Sequence, residues 1–142
     1  MQIFEPLSAK PKYRDFAVIV VLVTSAGIPM VRERRPGRIP FLKYPGGKRD
    51  GEETPEECAA REMEEETGAK IDPAKLILLA RQDRDTHDFF VFGVKLPELP
   101  VLKHTGDEGE EVGVYSREGL KMRRDIFPKH QEIGAITHFI YG

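Results

Sequence analysis

The sequence has a single cysteine, no tryptophan and almost no net charge. Because Cys58 is the only cysteine in 142 residues, no disulfide can form within the chain, and a reducing compartment is expected. The 22 basic and 24 acidic side chains give a formal net charge of −2. This balance lacks the strongly basic surface typical of proteins that bind long nucleic acids, so no such partner is expected. We expect Cys58 to be a small buried residue.

Long apolar segments are also missing. The longest one, residues 16–23, is far shorter than the roughly 20 residues that a membrane-spanning helix needs. The N-terminal residues show no basic segment followed by an apolar one, so no signal peptide is expected. We therefore predict a cytoplasmic protein without a membrane partner, forming one domain over residues 1–142.

The strand-forming segments lie on both sides of one long helix. Residues 16–23 are rich in β-branched side chains and predict a buried strand, and residues 28–34 predict a second strand that forms a hairpin with it. A short extended segment, 41–45, leads into a glycine turn at Gly46-Gly47. Further strands are expected at 76–81, 89–96 and 112–116, and a last short helix at 131–141.

The clearest helix covers Pro55 to Thr67. Thr54 is a suitable N-cap, Glu57 completes a capping box, and Gly68 suits the position just after the helix. Strands, a helix, more strands and a helix together indicate an α/β (α+β) fold.

Three glutamates of this helix share one face. Glu62, Glu65 and Glu66 are spaced i, i+3 and i+4, which places them within about 100° of arc. Like charges at this spacing repel, and a hard divalent cation such as Mg²⁺ would relieve the repulsion. A solvated acidic face is the other interpretation, and the three glutamates alone fit either.

A longer pattern surrounds these glutamates. Gly47 is followed after five residues by Glu53 and, after seven more, by Arg61-Glu62-Met63-Glu64-Glu65-Glu66-Thr67-Gly68-Ala69. This resembles the Nudix box, G-x5-E-x7-R-E-U-x-E-E-x-G-U, in which U is a bulky apolar residue; Ala69 is smaller than usual. The resemblance implies the Nudix fold, a mixed β-sheet sandwiched between helices, and an enzyme that hydrolyses a diphosphate linkage.

The resemblance also implies a metal site. Its ligands would be Glu62, Glu65 and Glu66, helped by the backbone carbonyl of Gly46, and Mg²⁺ would be the cofactor, with Mn²⁺ able to substitute. Water would attack a bridged phosphorus. Glu62 is our choice for the general base, with Glu66 or Glu108 as alternatives.

Three further residues of the box are expected to support the ligands. Arg61 should point about 100° away from the glutamate face and pair with Glu53, holding the loop against the helix. Gly47, which has no side chain, should let the backbone approach metal or phosphate.

The second half of the chain also resembles MutT-type nucleoside triphosphate pyrophosphohydrolases. The segments that carry this resemblance are 106–109, 116–120 and Phe127-Pro128. It implies an additional metal ligand from the loop, for which we favour Glu108 and keep Glu111 as the rival. Gln131 stands where these relatives have an asparagine that reads oxidised guanine, and its extra methylene argues against that specificity.

The substrate should be a small nucleotide. Basic side chains gather before the box, and Arg34 and Arg38 are candidates for holding the substrate's phosphates, together with Gly47 and Gln131. We expect hydrolysis of a nucleoside triphosphate or a related nucleoside diphosphate derivative. An ADP-ribose or nucleotide-sugar pyrophosphatase and a non-catalytic nucleotide-sensing module are the alternatives. A monomer and a homodimer are both compatible with the sequence.

Overall fold

The computed structural model describes residues 14–133, in which seven strands and two α-helices follow one another along the chain. The strands are β1 (Phe16–Val23), β2 (Ile28–Arg32), β3 (Leu42–Lys43), β4 (Gly46–Lys48), β5 (Ile77–Asp83), β6 (Asp88–Lys95) and β7 (Glu111–Tyr115). The helices are α1 (Pro55–Thr67) and α2 (Arg117–Met122), and short 3₁₀ turns occupy Pro73–Lys75 and Pro128–His130.

The strands divide between two sheets. A four-stranded mixed sheet has the order β4-β1-β6-β5, in which β1 and β6 are parallel and the outer pairs are antiparallel. A three-stranded antiparallel sheet has the order β3-β2-β7. The predicted α+β class is confirmed, with two sheets in place of one.

Strand β1 is buried on both of its faces. Val18, Val20 and Leu22 pack with the apolar side of α1, whereas Ile19 and Val21 pack with residues of the three-stranded sheet. Successive side chains of a strand point to opposite faces, so one continuous apolar run serves both layers. The four-stranded sheet is therefore covered by α1 on one face and by the smaller sheet on the other.

The predicted hairpin between the first two strands is wrong. The chain does turn tightly between them, since the amides of Thr24 and Gly27 exchange hydrogen bonds of 3.1 Å with each other's carbonyls. However, β1 pairs with β6 along one edge and, over residues 17–19, with β4 along the other, and β2 is not among its partners. Strand β2 lies in the other sheet and pairs with β3 and β7.

Helix α1 has the predicted bounds. Thr54 accepts a 3.1 Å hydrogen bond from the Glu57 amide, and the Glu57 carboxylate accepts one of 2.9 Å from the Thr54 amide. This reciprocal capping box satisfies two amides that the first turn leaves unpaired. Gly68 ends the helix with φ 86°, a left-handed conformation that favours glycine.

The remaining segments agree less closely with expectation. Gly46-Gly47 is not a turn but part of the edge strand β4, paired with Ile19 and Val18 of β1. Short helix α2 was not predicted, because its six residues carry too little periodicity to show in the sequence. Most of the helix predicted at 131–141 lies outside the described residues. Within residues 14–133, no helix is long and apolar enough to cross a membrane.

Candidate active site

Glutamates of α1 meet the glycines of β4. The Gly46 amide donates a 2.8 Å hydrogen bond to Oε2 of Glu66. A Cβ atom on Gly47 would overlap with the carboxylate of Glu62, and one on Gly46 would overlap with the backbone of β1 at Val18. The two glycines are thus needed for close approach, and they let the helix place two carboxylates directly against an edge strand.

Burial changes the acidity of these carboxylates. Burial raises the pKa of Glu62 to about 7; the charge of Arg61 opposes this rise, and those of Glu65 and Glu108 add to it. A carboxylate that is removed from water is easier to protonate, because its charged form loses solvation.

Glu66 is affected in the same direction. Burial raises its pKa to about 8, against the hydrogen bond from the Gly46 amide. The negative charges of Glu62 and Glu110 raise the pKa further, whereas Lys43 lowers it. The helix face is therefore a partly desolvated cluster of like charges, which a bound cation would stabilise.

Arg61 confirms one expectation and corrects another. It forms the predicted pair with Glu53, through Nε to Oε2 at 3.0 Å and Nη2 to Oε1 at 2.7 Å, and Nη2 also donates to the Lys48 carbonyl at 3.0 Å. However, it does not point away from the ligand face, because Nη1 lies 3.0 Å from both Glu62 Oε1 and Glu65 Oε2. The 100° step fixes only the Cβ direction, and a long guanidinium side chain reaches back across it.

The acidic loop before β7 covers the end of α1. The Asp107 amide donates to the Glu65 carbonyl at 3.0 Å, and the Lys103 amide donates to the Thr67 carbonyl at 2.8 Å. These bonds satisfy carbonyls that the last turn of a helix leaves unpaired. The loop is therefore fixed against the helix that carries the glutamates.

The three glutamates of this loop differ in their surroundings. Glu108 is 72% exposed, and its Oε2 lies 3.8 Å from Nη1 of Arg35. Glu111 pairs with Arg34 through two contacts of 2.8 and 2.9 Å. Glu110 is only 6% exposed, and its Oε1 has no hydrogen-bond partner among residues 14–133.

Glu110 was missed by the sequence reasoning, although it is the buried acid of the loop. Its carboxylate would lie 3.1 Å from a Cβ on Gly106, which itself packs against the backbone of Glu66. No periodic signal in the sequence marks Glu110, because it lies in the loop before β7 and the alternation of a strand does not extend to it.

Not every predicted substrate residue reaches the carboxylates. Arg34 is occupied by Glu111. Arg38 is exposed, in a loop where its amide donates to the Arg35 carbonyl at 3.2 Å. The Gln131 side-chain amide donates to the Ile126 carbonyl at 3.2 Å, so part of its hydrogen-bonding capacity serves the chain itself.

The side chains at this site have the donor atoms that a hard divalent cation requires, but they are not arranged as a complete set of metal ligands. Carboxylate oxygens are the donors that Mg²⁺ and Mn²⁺ prefer, and Glu110 offers an unpartnered buried oxygen. Within residues 14–133, however, no three acidic, histidine or cysteine side chains are grouped so that they could hold a metal as placed. Arg61 holds Glu62 and Glu65 instead.

Comparison with known proteins shows the family of the chain. A family model described as the NUDIX domain matches residues 13–134. The chain therefore belongs to the NUDIX domain family, and it is a Nudix-type pyrophosphohydrolase. No curated protein matches it.

Several solved structures share its fold. One is from a study of MutT from Aliivibrio salmonicida and Vibrio cholerae, with 24% identity and a TM-score of 0.69, covering 90% of this chain and 98% of that one. The MutT protein from Methanosarcina mazei has 17% identity and a TM-score of 0.66, with 89% and 93% covered. A bifunctional NMN adenylyltransferase/ADP ribose pyrophosphatase from Francisella tularensis, complexed with AMP and a Mn ion, has 22% identity and a TM-score of 0.62; 96% of this chain and 44% of that one are covered.

Proposed function

We propose that the protein hydrolyses a diphosphate linkage in a nucleoside triphosphate or a related nucleoside diphosphate derivative, with Mg²⁺ as its cofactor. The observation that carries this proposal is the contact between α1 and β4, where Glu62 lies against Gly47 and Glu66 binds the Gly46 amide. Carboxylates held this close to a backbone without side chains can bind a cation, and the bound cation can in turn bind a phosphate.

The cation would be held by Glu62, Glu65 and Glu66, together with the Gly46 carbonyl and a loop carboxylate. Glu108 remains a candidate for the loop position. Glu110 is added to it because it is buried, has an oxygen without a hydrogen-bond partner among residues 14–133, and carries a charge that acts on Glu66. When bound, Mg²⁺ supplies positive charge that neutralises the phosphate oxygens and makes water more acidic.

The chain's own residues would then position and deprotonate the nucleophile. Glu62 accepts a proton from water as the water oxygen bonds to phosphorus, and the bond from phosphorus to the bridging oxygen breaks. The products are two shorter phosphorylated species, and the bridging oxygen leaves with one of them. Arg61 fixes the Glu62 carboxylate through Nη1 while Glu53 holds its other nitrogens, so its role is positioning.

A nucleotide panel tests this proposal. Purified protein is incubated with MgCl₂ and each nucleoside triphosphate, ADP-ribose and a nucleotide sugar; phosphate and pyrophosphate are measured for the triphosphates, and the nucleoside monophosphate product is measured for every compound. Release of pyrophosphate from triphosphates, with slower cleavage of the other compounds, supports the proposal. Preferred cleavage of ADP-ribose or nucleotide sugars assigns the other substrate class. Binding without cleavage of any compound contradicts hydrolysis.

Oxidised guanine nucleotides form a separate comparison within the panel. Gln131 is longer than the asparagine expected for reading oxidised guanine, and its amide nitrogen is bonded to the Ile126 carbonyl. A base contact discriminates only when donor and acceptor meet within about 2.7–3.2 Å. We expect kcat/KM for 8-oxo-dGTP to stay within about a hundredfold of that for dGTP. A larger preference would contradict the role given to Gln131.

A further inference from the structure

A buried carboxylate beside the active site holds two cations. Glu33 follows β2 and is only 5% exposed. Its Oε1 accepts hydrogen bonds from the amide and Nε of Arg35 at 2.9 and 2.8 Å, and its Oε2 accepts from Arg35 Nη2 at 2.8 Å and from Lys43 Nζ at 3.2 Å. A buried charge is costly unless it is fully bonded, and these four bonds provide that.

Both cations lie near the acidic cluster, Arg35 at the loop glutamates and Lys43 close enough for its charge to act on Glu66. Nη1 of Arg35 faces Glu108 Oε2 at 3.8 Å, which is too long for a hydrogen bond. The charges of Glu108 and Glu110 also favour the protonated form of Arg35, after the larger effect of Glu33. Arg35 thus keeps a nitrogen that faces the loop glutamates while its other nitrogens are fixed by Glu33.

Lys43 lies on the helix side of the same cluster. Its charge acts on Glu66, where it opposes the rise in pKa that burial causes. Its side chain is 26% exposed and that of Arg35 is 45% exposed, so both can meet a ligand from solvent. One carboxylate with two cations carries a net charge of +1 next to a group of carboxylates.

A similar cluster elsewhere in the chain behaves differently. Asp125 also binds an arginine two residues away, Arg123, through two 2.9 Å bonds, and a second cation, Arg32, at 3.0 Å. There the cations serve the fold, since Arg123 lies over the Tyr115 ring and Arg32 donates to the Pro40 carbonyl. The Asp125 side chain is 40% exposed. Of these two clusters, the one at Glu33 combines a buried carboxylate with cations that lie near the loop glutamates and Glu66.

We propose that Glu33 is a positioning residue, whose carboxylate fixes Arg35 and Lys43 at the edge of the carboxylate cluster, where these two cations bind a phosphate group of the nucleotide. The inference rests on the proposed function and deepens it. A polyphosphate that enters a site of several carboxylates needs cationic donors besides the metal, and a fixed guanidinium and an ammonium supply them.

Binding of an uncleaved nucleotide tests this inference in the full chain. The probe is adenosine 5′-(α,β-methylene)triphosphate with MgCl₂, measured by calorimetry; inorganic pyrophosphate is the second probe. Glu33→Gln, Arg35→Gln and Lys43→Gln should each raise Kd at least about tenfold. Lys43→Arg should stay within about threefold of wild type because it keeps the charge. Asp125→Asn, the matched control, should leave Kd within about twofold.

Two further measurements, the coupling between variants at Glu33 and Arg35 and the Tm of Glu33→Gln, distinguish a positioning role of Glu33 from a purely structural one. Because Glu33 acts through the cations, Glu33→Gln combined with Arg35→Gln should weaken binding less than the product of the two single effects. If Glu33→Gln lowers the Tm but leaves the Kd at its wild-type value, Glu33 has only a structural role and the inference is overturned. If Glu33→Gln does not fold, the variants at Arg35 and Lys43, which are less buried than Glu33, still test the phosphate contacts on which the inference depends.

Failure of the inference is distinguishable from failure of the proposed function. A wild type that cleaves the nucleotide panel, with variants that bind the probes as tightly as wild type, overturns only the inference. A wild type that binds the probes but cleaves nothing contradicts only the hydrolysis, and the variant Kd values still test the phosphate contacts. A wild type that binds neither probe overturns the phosphate contacts themselves.

Discussion

The backbone amide of Gly46 donates a 2.8 Å hydrogen bond to the carboxylate of Glu66, which joins the edge strand to the helix at the centre of the candidate site. This bond places a half-buried carboxylate beside a strand whose residues at 46 and 47 have no side chain. Helix α1, strand β4 and the carboxylates therefore form one unit, and a substitution in the helix or in the strand should change the structure of the other.

Removal of divalent metal should abolish turnover. The glutamates of α1 repel each other and an anionic substrate, so cleavage needs a cation between them. Activity on the best nucleotide should disappear in excess EDTA and return when MgCl₂ or MnCl₂ is added beyond the chelator. Full activity in excess chelator would contradict the metal-dependent mechanism. Metal should also raise the Tm of the protein, since a ligand that binds only the folded state stabilises it.

Adding one methyl group at position 47 should damage the site. In Gly47→Ala the new Cβ would overlap with the Glu62 carboxylate, which is the end of a flexible side chain and would move aside at little cost in stability. We expect a Tm close to that of wild type but a fall in kcat of at least about tenfold, because the carboxylate leaves its position in the site. If Gly47→Ala keeps wild-type kcat, the close approach is not important.

Stability should depend on pH through His130. Burial lowers the pKa of His130 to about 4, with help from the charges of Lys43 and Arg84, and its Nδ1 accepts a 3.1 Å hydrogen bond from the Tyr44 amide. The unfolded chain therefore binds a proton near pH 6.5, whereas the folded chain does so only near pH 4. The stability from neutral His130 is complete above pH 6.5 and is lost as the pH falls toward 4, by about 3 kcal/mol.

The variant His130→Asn isolates this effect, because its side-chain oxygen can still accept from the Tyr44 amide. Denaturant unfolding between pH 7 and pH 4 should show a steeper loss of stability for wild type than for His130→Asn. His104→Asn, at an exposed histidine, is the control and should follow wild type. Parallel curves for wild type and His130→Asn would show that His130 is not held neutral by the fold.

The sequence predicted the parts that local patterns determine. The bounds of α1, its capping box and the glutamate face are set by spacing within one helix, and they are confirmed. The first strand is confirmed for a similar reason, since a short apolar run rich in β-branched residues favours a strand buried on both faces. The pair between Arg61 and Glu53 is also as predicted.

Contacts between segments that are far apart in the sequence could not be predicted from it. Whether β1 or β7 takes β2 as its neighbour depends on which edges other strands occupy, and that is a property of the whole chain. The buried position of Glu110 and the contacts of Glu33 with Arg35 and Lys43 likewise depend on how two loops pack. Neither loop has the periodicity that would reveal which of its acids face inward.

Glutamine substitutions on α1 measure the proposed chemistry most directly. Glu62→Gln and Glu66→Gln remove charge with little change of shape, and Glu64→Gln makes the same change at an exposed position of the same helix. With saturating nucleotide and MgCl₂, kcat should fall at least about a hundredfold in each of the first two variants and stay near wild type in the control. All three should remain folded, and without metal the first two should unfold at a slightly higher temperature than wild type because repulsion is relieved. Turnover close to wild type in Glu62→Gln or Glu66→Gln would contradict the role of that glutamate in hydrolysis.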